Sequence, residues 1–475
     1  MKFGWMEGVK MKKNGFTFIE IIVVIALLGA IMLLVVPNIT KNFKESKKRL
    51  FYDNVVSLYT SAGRSFLLLD NPSIKTFTNN GNVLDVDVSE DIVYKIVVNS
   101  YGEVTSMYVA NGTYSYSKSN INGIKKKDIK FDDIVENGGL DTTPDIPSND
   151  GTLLDRILID NPTIKTRTDF NATFTETNTG TLYKATESIA GSTPKDVYYF
   201  AGNATNNWVK FAGFYWRIIR TNHDGSVRLL YSGTSHNTTY GHIGSSAFNS
   251  TYNDPMYVGY MYGTSGSLAS NRDNTNNSTI KAKIDDWYST NLNSYSKYIS
   301  TEAVYCNDRE LARNQTYSTS SGSSSIFNYA PYGRLYTNKT PKYNCANKKD
   351  AFSGSNNEAK LTYPIGLMTA DEIAYAGGKA YTDLPSPYAW FYLNSAGESI
   401  TGSTYWWSLS PSAWGGSYSY VWFVFGSSRP GYLFNTYVSN IYGVRPAISL
   451  KTCTLWINGN GAPETPYEIS TTSGC

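Results

Sequence analysis

At 475 residues the chain is about three domains long on a prior of roughly 150 residues each, so one small head does not account for it. Charged residues are only 17% against 38 Tyr, 10 Trp and 39 Gly, a balance that fits a β-rich extracellular protein and argues against a helical cytosolic enzyme. The net charge of +3 is unevenly placed: nine Lys or Arg against three Glu up to Arg49 give +6, so everything beyond carries −3, which points away from nucleic acid as a partner.

Met11, Lys12 and Lys13 lead into Asn14 and Gly15, and residues 16–36 then run apolar except for one acid, Glu20. With Pro37 the segment is 22 residues. As a helix it measures about 33 Å, enough to cross a bilayer. Lys10, Lys12 and Lys13 hold the preceding end in the cytoplasm, which places the bulk of the chain outside. A secretory signal peptide needs a small-residue cleavage site after its apolar run, whereas residues 37–49 are strongly basic. A plain membrane anchor leaves Glu20 unexplained, because an ionised carboxylate in the bilayer costs about 3 kcal/mol and needs a partner. Cleavage between Gly15 and Phe16 creates that partner: the new α-amino group lies one helical turn from Glu20. In staggered parallel helices the carboxylate of one subunit meets the amine of the next, which selects axial register.

The run Lys13-Asn14-Gly15-Phe16-Thr17-Phe18-Ile19-Glu20 with its apolar continuation resembles the cleavage and methylation signature of type IV prepilins and pseudopilins. That resemblance implies a prepilin peptidase that cuts after Gly15 and methylates Phe16, an assembly role for Glu20 as fifth mature residue, and a helix-kinking role for Pro37. It also implies other pilins as partners in a filament, a single-pass precursor in the cytoplasmic membrane, and a mature form at the cell surface. The leader, residues 1–15, counts 15 residues from Met1 and five from Met11, and both starts stay open.

The helix is expected over 16–66, since Phe51, Val55, Leu58, Ala62 and Phe66 fall at spacings of 4, 3, 4 and 4. Such a stripe needs a sheet. Residues 92–99 and 104–111, joined by a turn at 100–103, read as a hairpin, and 113–116 adds a third strand. The pilin resemblance implies the same helix-plus-sheet head over 67–140. Residues 141–150, rich in Asp, Pro and Ser, read as a linker.

Residues 151–475 form the large remainder. Short strands are expected at 198–202, 208–220 and 226–231, with a turn at Asn222-His-Asp-Gly225 between the last two. Helices are expected at 280–292 and 369–376. The four cysteines, Cys306, Cys345, Cys453 and Cys475, allow three pairings. In an exported chain, sequence proximity favours Cys306 with Cys345 and Cys453 with Cys475, each worth roughly 3 to 4 kcal/mol on chain-entropy grounds. Zinc binding is the alternative, but His223, His236 and His242 are near no cysteine in sequence.

Trp216-Arg-Ile-Ile, Leu367-Met-Thr-Ala-Asp371, Tyr405-Trp406-Trp407-Ser-Leu-Ser-Pro411 and Gly443-Val-Arg-Pro-Ala447 together resemble the formylglycine-generating-enzyme-like variety of the C-type lectin fold, over about residues 195–450. The fold class implied for the whole chain is α+β: a long pilin helix with a small antiparallel sheet, then a large mainly-β lectin-like domain. Enzymes of that group need a reactive cysteine pair, and no cysteine lies in 369–450, so binding is expected and catalysis is not. No cofactor or metal is expected either: neither a Glu-Pro-Asn nor a Trp-Asn-Asp triplet for calcium-dependent sugar binding occurs.

The expected contact surface is 403–442, which offers Trp406, Trp414, Tyr418, Tyr420, Trp422, Tyr432, Asn435, Tyr437 and Asn440 among Gly and Ser, a paratope-like mixture. If 417–425 is one strand, Tyr418, Tyr420 and Trp422 share a face, and Val421, Phe423 and Phe425 share the other, more apolar one. Trp216, Trp407, Phe423 and Phe425 are assigned to the core, and Arg445 to a pairing with Asp371 or Glu372. The function expected is a minor or tip pilin presenting a binding domain to a protein or glycan ligand. The alternative is a structural pseudopilin of a type II secretion or DNA-uptake apparatus.

Overall fold

In the computed structural model the described residues are 18–68, 75–79, 83–89, 91–99, 101–119, 123–136, 152–472 and 474–475. The architecture is mixed α and β, with strands in several sheets.

Helix α1 runs over Phe18–Leu67, 50 residues or about 75 Å. The expected stripe is its packing face: Phe51, Val55, Leu58, Ala62 and Phe66 are all buried. They meet a five-stranded antiparallel sheet whose order follows the chain, β1 (Lys75–Thr78), β2 (Val93–Val98), β3 (Val104–Ala110), β4 (Tyr114–Ser119) and β5 (Val135–Glu136). Ile96, Val98, Met107, Val109 and Tyr116 supply the facing side of that core. The β2–β3 turn is closed by Asn99, whose Oδ1 accepts from the backbone N–H of Tyr101 at 3.0 Å and of Glu103 at 2.9 Å. Gly102 there has φ +83°, and a Cβ on it would lie 3.2 Å from the Phe66 ring, so the turn needs glycine on both counts.

The expected linker, 141–150, lies outside the described residues; after it, α2 (Leu153–Asp160) starts on a reciprocal cap between Thr152 and Asp155. Strands β6 (Thr163–Thr166), β7 (Thr181–Glu187), β8 (Lys195–Tyr199), β9 (Trp208–Phe211), β10 (Phe214–Thr221) and β11 (Val227–Tyr231) then build a sheet completed by Gly366–Leu367, Pro446–Leu450, Trp456–Asn458 and Tyr467–Ile469. Residues 208–220, expected as one strand, are two: Ala212 (φ 54°) and Gly213 (φ 81°) make a two-residue turn between β9 and β10. Positive φ at both central positions is the turn geometry that matches strand twist. The expected turn at 222–225 joins β10 to β11, with the Gly225 N–H bonded to the Asn222 carbonyl at 2.9 Å.

A second sheet takes Ser245–Ser246, Tyr442–Gly443, Trp406–Trp414, Ser419–Val424 and Leu433–Tyr437 in that order. Between the sheets lie helices Thr279–Asn291 and Ala370–Tyr375, the latter opened by a Thr369–Glu372 capping box. One apolar core joins residues of both sheets, with Trp216, Trp390, Trp406, Trp407, Trp414 and Trp422 among its fully buried side chains.

Candidate functional site

Gly15 and Phe16 lie outside the described residues. Glu20 and Pro37 fall within α1, described there as backbone only. Among the described residues no helix is long and apolar enough to cross a membrane; Glu20, Ile21 and residues 28–41 of the apolar run have side chains outside that set. Those of the run that are described face outward: Phe18, Ile19, Ile22, Val23, Val24, Ile25 and Leu27 are each at least half exposed or close to it. They point in every direction around the helix, so no single face of a neighbouring element can cover them. An all-round apolar helix is stable only in a hydrocarbon or protein interior.

In the C-terminal region the four cysteines form Cys306–Cys345 and Cys453–Cys475. The first joins strand Tyr305–Cys306 to the loop before 348–352, and the second fastens the C-terminal residue beside Thr454.

The segment 403–442 divides differently from the expectation. Trp406, Trp414 and Trp422 are buried to 1%, 1% and 0% exposure, and Tyr432 to 6%, so these four are core and not contact residues as the domain stands. The alternation is correct, but both faces of 419–424 are covered, so the Trp422 side is buried where the expectation had exposed it. Trp422 stands across from Asn435, and Val424 across from Trp406 and Leu433. This side is covered by Tyr332 and Tyr381, whose rings lie 5.9 Å from Trp422. Both residues come from segments remote in sequence.

The opposite side carries Phe423, paired with Trp407 and with Phe434. Trp407, Phe423 and Trp216 are core as expected; Phe425 is half-buried. Around Phe423, Tyr405, Phe425, Phe434 and Tyr442 form a half-exposed aromatic platform. Ring centroids are 4.4 Å apart for Tyr405–Phe425, 4.8 Å for Phe423–Tyr442 and 5.3 Å for Tyr405–Tyr442. Along its rim the Ser428 hydroxyl donates to Tyr405 Oη at 3.4 Å, and Asn440 Nδ2 donates to Thr436 Oγ1 at 2.5 Å. Arg429 lies 3.5 Å over the Tyr432 ring and pairs with Asp383 at 3.1 Å.

Tyr418 and Tyr437 are exposed, and Tyr420 is half-buried. With Tyr252 they make a ladder at one edge of the sheet, at 5.0 Å for Tyr252–Tyr418, 4.4 Å for Tyr418–Tyr437 and 4.9 Å for Tyr420–Tyr437. Asn435 is engaged inward, donating to Ser412 Oγ at 2.7 Å and accepting from Tyr381 Oη at 3.1 Å.

Arg445 meets neither Asp371 nor Glu372. Its guanidinium donates to the carbonyls of Phe391 at 2.7 Å and Tyr231 at 3.2 Å and stacks 4.8 Å from the Trp406 ring. Burial lowers its pKa, and a carbonyl cage is what keeps the cation there. Both carboxylates have other partners. Asp371 takes a two-pronged contact from Arg334, and Glu372 takes Arg220 and Arg228. Arg220 also donates to Glu187, which accepts in turn from the His223 N–H. Burial pushes the Glu187 carboxyl up, but Arg220 and His223 overcome it and hold it at about 2. The two Glu and two Arg of this buried cluster sit on β7, β10, β11 and the short helix at 370–375, so it fastens the helix to the sheet.

Residues 10–36 match the family described as the prokaryotic N-terminal methylation motif. A relative from Clostridium perfringens, "Prepilin peptidase-dependent protein A", is 31% identical over 91 residues, which are 18% of this chain and 64% of the relative. The chain thus spans under two thirds of that relative's length. Motif and relative support a pilin-like or pseudopilin protein. No solved structure matches the chain.

Proposed function

We propose that the protein is a pilin-like filament subunit, a minor or tip pilin, that is delivered through the membrane by its first 37 residues and presents residues 151–475 as a lectin-like binding domain. The observation that carries this reading is the methylation motif at 10–36 leading into a 50-residue helix, Phe18–Leu67, whose C-terminal part packs on a small antiparallel sheet. A prepilin peptidase is then its processing partner, other pilins its neighbours, and the outward-facing apolar residues Phe18, Ile19, Ile22, Val23, Val24, Ile25 and Leu27 its seat, first in the bilayer and later among parallel helices.

All four cysteines are held in disulfides, so the cysteine-dependent chemistry of that fold group's enzymes has no thiol to use here. A head of this bulk is easier to seat at a filament end than along a crowded shaft. Gold-labelled antibody against residues 152–475, applied to the producing cells, tests the placement. Label at filament tips is the expected result. Label confined to the envelope, with secretion lost on deletion, would instead assign a structural pseudopilin.

A further inference from the structure

The aromatic platform invites a more specific reading, one that rests on the proposal that residues 151–475 are a binding domain. Four rings, Tyr405, Phe425, Phe434 and Tyr442, share one side of the second sheet around the buried Phe423, and each is partly exposed. Side chains of this type span about 150–250 Å², so with only a minority of each showing the patch is at most a few hundred Å². A standard protein interface needs about 800 Å² from each partner. The patch is therefore too small to anchor a protein by itself. It is the size of one or two sugar rings.

Its chemistry agrees with its size. The ring faces carry the negative side of the aromatic quadrupole and attract the weakly positive C–H groups that line one side of a pyranose. The rim offers neutral hydrogen-bonding groups at the height of the rings: the Tyr405 and Ser428 hydroxyls at one end and the Thr436 hydroxyl with the Asn440 amide at the other. Arg429, 3.5 Å over the Tyr432 ring and 5.9 Å from the Phe425 ring, is already balanced by Asp383. With that cation paired, a neutral ligand is favoured.

We propose that this platform binds a neutral oligosaccharide, stacked on Tyr405 and Phe425 and hydrogen-bonded by Ser428, Thr436 and Asn440. Full-length protein in lipid nanodiscs, with no sugar-headed detergent present, is titrated with maltotriose, cellotriose, triacetylchitotriose and galactotriose, followed by saturation-transfer NMR and calorimetry. At least one is expected to bind saturably. Phe425→Ala is then expected to weaken binding at least tenfold. Because that variant removes a packed ring, Asn440→Ala and Ser428→Ala at the rim serve as partners. Each is expected to cost several-fold in affinity with an unchanged unfolding temperature.

Binding of none of the four saccharides, or binding that all three variants leave intact, overturns the assignment, as does binding of a protein alone. The two readings fail separately. A chain that is never cleaved or assembled but still binds sugar refutes the filament role and keeps the site, and a processed chain blind to sugar refutes the site alone.

Discussion

Arg220 Nε donates to Glu372 Oε1 at 2.8 Å, with both side chains almost wholly buried. The same oxygen accepts from Arg228 Nη1 at 2.7 Å, so one carboxylate bridges two guanidiniums from adjacent strands, and Glu187 supplies the second negative charge. Removing one partner of a buried pair leaves the other charge uncompensated, which costs roughly 3–5 kcal/mol. Glu372→Gln is expected to fall in or near that range in denaturant unfolding followed by tyrosine and tryptophan fluorescence. Asp196→Asn, which breaks an exposed pair with Lys184, should change stability by no more than about 1 kcal/mol.

The same cluster makes stability depend on acid. Glu187 has an ordinary carboxyl pKa of 4.5 and is held at about 2 in the fold. Above 4.5 both folded and unfolded chains are ionised there, and the ion pairs contribute in full. As pH falls below 4.5 the unfolded chain takes the proton first, so the contribution shrinks until the folded carboxyl protonates near 2. Unfolding temperature is therefore expected to drop steadily between pH 4.5 and 2. Glu187→Gln should flatten part of that slope.

Leu58 is at 0% exposure on the sheet-facing side of α1. Leu58→Ala is expected to cost about 2–5 kcal/mol through lost burial and a residual cavity. Asp53→Ala, on the exposed side of the same helix, should stay within about 0.5 kcal/mol. Hydrogen exchange over β2 and β3 separates local loosening from global loss.

Cys453–Cys475 closes a 22-residue separation and Cys306–Cys345 one of 39. Replacing either pair by serine should remove roughly 3 kcal/mol. Reduction of the wild-type protein, which opens both bridges, should lower its unfolding temperature to that of the variant lacking both pairs and leave that variant unmoved.

Much of the molecule could be read from residues alone where local pattern decides. The stripe from Phe51 to Phe66, the 92–111 hairpin, the Thr369 cap and both disulfides follow from spacing, turn chemistry or proximity. The misreadings arose where a distant segment decides. Alternation along 419–424 sorts the side chains into two faces, but only Tyr332 and Tyr381 determine that the Trp422 face is covered as well. The partly exposed setting of Tyr405, Phe434 and Tyr442 likewise depends on pairing across the sheet. Arg445 is a similar case. A buried guanidinium needs compensation, and its two carbonyl acceptors on Tyr231 and Phe391 carry no signal in sequence.

The single acid of the apolar run gives a further outcome. Glu20→Gln is expected to leave membrane insertion unchanged and to reduce recovery of the protein in sheared surface filaments at least tenfold, measured by quantitative immunoblot, because the amine of Phe16 then has no carboxylate to meet.

The central claim is that this chain is a processed, filament-forming subunit, and its N-terminus reports on that directly. After co-expression with a prepilin peptidase, mass spectrometry of the mature protein is predicted to find a chain beginning at N-methylated Phe16. A chain that keeps Met1 or Met11 at its terminus in the presence of active peptidase would contradict the account.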